Sequence, residues 1–238
     1  MTTADSPDST EPNPVTKQTR RRSASDKNEF KEQLIDIARE ILATQGADAV
    51  TLRSIADAAR ISPMAIYRYF PSKGALASHL RDYILFLAHA ECVLATDKHR
   101  APYAKLTAHT EAYLDYWLTH LDHFRFVFLR PGIESDADQK RAFWAHAQAP
   151  AAMWAHMEGV LQACWKQDKV TVEDSKAVIL QIIAVQAGLL HYLIVTGNSP
   201  LANTATMRAH SVQQILDLAR RAPEWTRAKL PVRKAETL

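Results

Sequence analysis

The chain has 238 residues, with 38 alanines but only 6 glycines, and 47% of its residues are hydrophobic. Alanine is the strongest helix former, whereas glycine serves sheets, tight turns and phosphate loops, so this balance argues against a β-sandwich, a barrel or a dinucleotide-binding fold and for an all-α protein. The net charge of +3 hides a pattern: residues 1–16 carry three acids and no base, residues 17–90 carry 12 Lys/Arg against 8 Asp/Glu, and residues 91–238 carry 17 against 15.

A basic excess that starts at Lys17 suits a nucleic-acid partner. Two cysteines, Cys92 and Cys164, are too few for a disulfide framework or a four-ligand zinc site. The first residues contain no apolar stretch, so no signal peptide is expected and the chain reads as a reduced, cytoplasmic protein.

Residues 1–25 are polar, with Pro7, Pro12, Pro14 and a basic run from Lys17 to Arg22. They predict a disordered arm that either neutralises phosphates or stays solvated. Order is expected from Asp26, which with Glu29 resembles a capping box. Phe30, Leu34, Ile37, Ala38, Ile41 and Leu42 then recur at helical spacing up to Gly46, the expected end of the first helix. Thr51 is placed to cap a second, short helix carrying Leu52, Ile55, Ala56 and Ala59. Ser62-Pro63 pairs a hydroxyl cap with a proline at the first helical position, predicting a third helix over 63–70 that Pro71 stops. Ser72 caps a fourth, whose apolar face is Leu76, Leu80, Tyr83, Ile84 and Leu87. Residues 26–72 form the predicted first domain.

The second and third helices have the dimensions of a helix-turn-helix. With Ile66 and Phe70 facing inward one turn apart, helical rotation turns Met64, Ala65, Tyr67 and Arg68 outward. An α-helix fits the DNA major groove, where arginine pairs with guanine and apolar side chains meet thymine methyls. Tyr67 and Tyr69 offer hydroxyls to phosphate, and Lys73 brings a charge to the free N–H groups at the start of the fourth helix. Arg53, Arg60 and Ser62 complete the predicted DNA-binding set.

These residues resemble a family. The run Thr51-Leu52-Arg53-Ser54-Ile55-Ala56, then Ile61-Ser62-Pro63-Met64-Ala65-Ile66-Tyr67-Arg68-Tyr69-Phe70 and Ser72-Lys73, looks like the N-terminal domain of the tetracycline-repressor (TetR) family over residues 26–90. The resemblance implies a dimeric bacterial transcription factor, usually a repressor, released from a palindromic operator on double-stranded DNA by a small-molecule effector. The family usually has glycine in the turn where this chain has Arg60. Should that backbone need a positive φ, arginine is strained there by about 1 kcal/mol.

Beyond residue 72 the pattern stays helical: 103–121, 124–129, 139–167 with a kink expected at Pro150, 172–196 and 203–221. Pro131-Gly132 is expected to turn and Gly197-Asn198 to end a helix. Residues 73–221 form the predicted ligand-binding and dimerisation domain, and 222–238 a basic, frayed tail. Aromatic, methionine and histidine side chains are concentrated here. Phe86, Tyr113, Trp117, Phe128, Trp144, Met153, Met157 and His191 are the candidates for an apolar or aromatic ligand. No cofactor and no metal site is expected, because the His, Cys and acidic spacings match no known ligand ladder. The stretch 177–195 is apolar nearly all round, broken only by Gln181, Gln186 and His191. It is long enough to span a membrane, but such a helix can also be buried between its own core and a partner, and the resemblance implies that the last two long helices form the interface with a second copy. Ile183, Ala184, Ala187, Gly188, Val212, Ile215 and Leu216 are the predicted homodimer contacts. A regulator governed by protein partners and an all-α enzyme are the competing functions. The second lacks any recognisable nucleophile–base spacing, so no enzymatic activity is expected.

Overall fold

The structure is a computed structural model that describes residues 14–129, 143–144, 147–195 and 203–227. The chain divides into two compact units, Met1–Leu76 and Ala77–Leu238. Every regular element among the described residues is helical.

The first unit begins with α1 (Pro14–Gln45). Residues 14–25 are therefore helical rather than a disordered arm, and the helix does not start at Asp26. Lys, Gln and Arg are good helix formers, and adding turns to an existing helix carries no nucleation cost. Residues 1–13 lie outside the described residues. Gly46, at φ 83°, lets the chain leave α1 into a short 3₁₀ turn, Ala47–Ala49. Helix α2 (Leu52–Ala58) opens on a reciprocal cap: Ser54 N–H donates to Thr51 Oγ1 at 2.9 Å and Thr51 N–H donates to Ser54 Oγ at 3.0 Å.

Arg60 sits at φ 56°, in the left-handed region. Ile61 N–H donates to Ala56 O at 2.9 Å and Arg60 N–H to Asp57 O at 3.1 Å. This is the two-bond closure that usually places glycine at this position. The turn keeps its left-handed geometry, with arginine adopting it.

Helix α3 (Pro63–Ile66) is shorter than predicted. Residues 67–69 continue as tight turns, with Arg68 N–H to Ala65 O at 3.1 Å and Tyr69 N–H to Ile66 O at 2.9 Å. Pro71 disfavours an α conformation at Phe70, so the last turn tightens instead of extending. Leu34, Ile35 and Ala38 of α1, Ile55 and Ala56 of α2, and Ile66 and Phe70 are at most 1% exposed and form the core of this unit.

Helix α4 (Lys73–Asp97) contains the division between units. The second unit continues with α5 (Pro102–Thr119), α6 (Leu121–Phe124) and a π-helical turn, Arg125–Leu129. After it come α7 (Gln148–Asp168), α8 (Ser175–Val195) and α9 (Thr204–Arg227). Pro150 does not kink a helix. It lies in the first turn of α7, where its missing N–H has no partner to lose. The predicted turn at Pro131-Gly132 and stop at Gly197-Asn198 lie outside the described residues. The packed interior joins Leu106 of α5, Leu161 and Cys164 of α7, Val178, Ile179 and Ile182 of α8, and Ile215, Ala219 and Ala222 of α9.

The expected frayed tail is helical as far as Arg227 and carries Pro223 inside the helix. Proline removes the N–H that would bond Ala219 O. Trp165 Nε1 donates to that carbonyl at 2.9 Å, so the proline leaves no buried acceptor unpaired and Ala222 stays fully buried.

Three histidines gather between α4, α5 and α7. His156 stacks on His109 with centroids 5.3 Å apart and meets His89 edge-on at 5.4 Å. Burial, with the neighbouring His156 and His89, pushes the His109 imidazole from its ordinary 6.5 down to about 3. Burial lowers His89 and His156 as well. A histidine held neutral in the folded state contributes stability that is complete above its unfolded pKa and lost as pH falls from there toward the folded value.

Two outcomes follow. The unfolding midpoint should fall between about pH 6.5 and 5, above the main carboxylate range, and fall less steeply in His109→Phe; equal slopes would remove His109 as a cause. Arg60→Gly should stabilise the protein by up to about 1 kcal/mol by relieving the left-handed strain, less the entropy glycine adds to the unfolded chain. A lowered melting temperature would contradict this.

Candidate functional site

The helix-turn-helix presents a face that its capping makes rigid. Ser62 Oγ accepts from Ala65 N–H at 3.2 Å and fixes the start of α3. Met64 is 78% exposed and Tyr67 48%, while Ile66 and Phe70 are fully buried beneath them. Arg68 is exposed and Ala65 half-buried. Tyr69, expected to reach phosphate, is half-buried instead, its ring 5.2 Å from Phe30. Its position after the tightened turn brings it against α1. Arg53 lies exposed on α2, loosely opposed to Asp57 at 3.9 Å. Arg60 is exposed in the turn, and Lys73 is exposed at the first position of α4. Ser72 Oγ accepts from Ala75 N–H at 3.1 Å there, which orders the helix start. Arg53, Arg60 and Lys73 suit phosphate, and the Met64, Tyr67 and Arg68 side chains suit base edges.

The second unit holds a cavity of about 470 Å³. Tyr113, Phe128, Trp144, Met153 and Met157, all predicted ligand residues, line it. Phe128 and Trp144 stack with centroids 6.3 Å apart and planes 14° from parallel. Three predicted residues do not line it. Trp117 is fully buried behind the wall, edge-on to Phe128 at 5.2 Å. Phe86 is 56% exposed, and its neighbour Leu85 lines the cavity in its place. His191 is exposed on α8. One residue along a helix is a rotation of about 100°, enough to move a side chain from cavity to solvent.

Sequence reasoning missed His109 and Trp154, and also Ile179, Ile183 and Gln186. The last three sit at i, i+4 and i+7 on α8, one face of a helix, and Gln186 was the visible break in that apolar run. None of the described lining residues is Lys, Arg, Asp or Glu. Among the described residues no group of three or more His, Cys, Asp or Glu could hold a metal ion.

Of the predicted dimer contacts, Ile183, Ala184, Ala187 and Gly188 are exposed on α8, in line with Leu180. A Cβ added at Gly188 would meet nothing within 4 Å. Val212 and Ile215 are instead buried in the chain's own core, Ile215 completely, because α9 turns its apolar stripe inward onto α7 and α8. Leu216 is partly buried against the same core. Helix α8 is long and apolar enough to cross a membrane over Ser175–Ile194. Its Val178, Ile179 and Ile182 are nevertheless packed inside the helical bundle.

Residues 34–80 match the family described as bacterial regulatory proteins, tetR family. No curated protein matches the sequence. Among solved structures, RolR in complex with the ligand resorcinol is similar at a TM-score of 0.62 and 15% identity, covering 87% of this chain and 98% of that one. The Thermus thermophilus FadR, a TetR-family transcriptional repressor in complex with lauroyl-CoA, gives 0.58 and 18%, covering 87% and 98%. A protein of unknown function from Rhodococcus sp. RHA1 gives 0.58 and 18%, covering 82% and 95%. Residues 34–80, which contain the helix-turn-helix, thus match the tetR family of bacterial regulatory proteins, and the chain shares the all-helical fold of these structures.

Proposed function

We propose that the protein is a cytoplasmic, dimeric, sequence-specific transcriptional regulator without enzymatic activity. It represses from a palindromic operator and leaves it when a small apolar or aromatic molecule fills the cavity of the second unit. The observation that carries this reading is the pairing, in one chain, of a tetR-type helix-turn-helix with an aromatic-lined cavity of about 470 Å³ whose described lining residues carry no charge. That volume falls in the range of small-molecule sites, roughly 300–1,000 Å³. RolR with resorcinol and FadR with lauroyl-CoA carry ligands of very different chemistry. The choice among such classes therefore rests on the lining, which favours an aromatic molecule.

For such a ligand to act, it must bind the DNA-free state more tightly than the DNA-bound one. Two recognition helices reading half-sites one or more helical turns apart, about 34 Å or multiples, lose register when their spacing changes. The bare apolar row Leu180, Ile183, Ala184, Ala187 and Gly188 is the surface that supports pairing of two copies.

Selection of bound duplexes from a random library tests the reading. A palindromic consensus should emerge, and a small aromatic molecule should release it in a mobility shift. Failure to enrich any sequence would overturn it. Arg68→Ala should weaken the selected operator by about tenfold or more per half-site and random DNA far less. Lys73→Ala should weaken both alike and make the salt dependence shallower by about one unit per protomer. Gly188→Arg should keep the helical signal and melting of the single chain but sediment as a monomer; a persistent dimer would place the interface elsewhere.

A further inference from the structure

The described lining of the cavity is largely apolar, and two of its polar side chains carry an atom without a hydrogen-bond partner. Gln186 of α8 is 2% exposed and His109 of α5 is 4% exposed, and both line it. Gln186 Nε2 and His109 Nδ1 are buried without a hydrogen-bond partner. A buried polar group left unpaired is destabilising, and native proteins leave few of them. Here two occur in the wall of one cavity. Gln186 also interrupts a helix that packs apolar side chains almost everywhere else. A leucine there would fill similar space at no polar cost.

Building on the proposed effector site, we infer that the effector is an uncharged aromatic molecule carrying a hydrogen-bonding oxygen, and that Gln186 and His109 read that oxygen. The Gln186 amide donates to an oxygen acceptor. A hydroxyl also serves His109 whichever ring nitrogen carries the proton. The rest of the molecule lies among Tyr113, Phe128, Trp144 and Trp154. A carboxylate or phosphate would be desolvated with no cation among the described lining residues to meet it, since none of them is Lys or Arg and burial keeps His109 neutral. A cation would find aromatic faces but would leave the Gln186 N–H groups without an acceptor.

Equilibrium dialysis of the full chain with four bicyclic probes of similar shape tests this: 2-naphthol, naphthalene, 2-naphthoate and N-methylquinolinium. The expected order places 2-naphthol about tenfold above naphthalene, with both charged probes below naphthalene. Gln186→Leu should bring 2-naphthol down to the affinity of naphthalene, leave naphthalene unchanged and raise the melting temperature, since it removes an unpaired group. His109→Phe, as a second variant, should reduce the same preference. Equal binding of 2-naphthol and naphthalene, tighter binding of either charged probe, or a preference for 2-naphthol that survives in Gln186→Leu would overturn the inference while leaving the cavity as an effector site. Retention of none of the four probes would overturn the effector reading as well.

Discussion

A helix that is apolar on nearly every side must find cover on nearly every side, and the second unit is organised around that demand of α8. Its inner face, Val178, Ile179 and Ile182, packs into the interior formed with α5, α7 and α9. A second face, Ile179, Ile183 and Gln186, forms part of the cavity wall. A third, with Leu180, Ala184, Ala187 and Gly188, remains open. Ile183 belongs to both the second and the third, since it lines the cavity and is 42% exposed. Ile183 thus joins the cavity wall to the surface proposed for pairing.

Scarcity of glycine has a consequence at the helix ends. Two of the described helices close with a left-handed residue that is not glycine: Arg60 after α2 and Lys169 after α7, both at φ 56°. At the second, Val170 N–H donates to Trp165 O at 3.0 Å and Lys169 N–H to Lys166 O at 3.3 Å, the same closure as at Arg60. The hydrogen bonds and the packing that follows them outweigh a strain of about 1–2 kcal/mol per residue. In both places the strained residue is basic, which favours the negative end of the helix it terminates. At Arg60 the same charge lies in the turn of the DNA-reading motif.

How far each site was legible follows the range of the forces that build it. The helix-turn-helix depends on contacts a few residues apart, namely the Thr51–Ser54 cap, the Ser62 cap and the burial of Ile66 one turn from Phe70, and all are written in local spacing. The limits of α1 and α9 were less legible, because their extra turns depend on extension and packing. The clearest case is Pro223, which lies in the stretch expected to be a frayed tail. Trp165, 54 residues earlier in the pair Trp165–Ala219, supplies the donor that lets the helix pass through it. The cavity was half legible. Residue type identified aromatic and methionine side chains, but only helix rotation decided that Leu85 faces inward and Phe86 outward.

By itself the sequence determined an all-helical chain, a basic first domain with a DNA-reading motif, and an outward set centred on Met64, Tyr67 and Arg68. Those follow from helix propensity, capping and the 3.6-residue period, which act within one or two turns. Only the tertiary structure decided that Arg60 adopts the left-handed turn, that Ile215 belongs to the chain's own core, and that His109 and Gln186 share one cavity. Each of these depends on which helices meet and at what rotation, and that is set by packing between residues far apart in sequence.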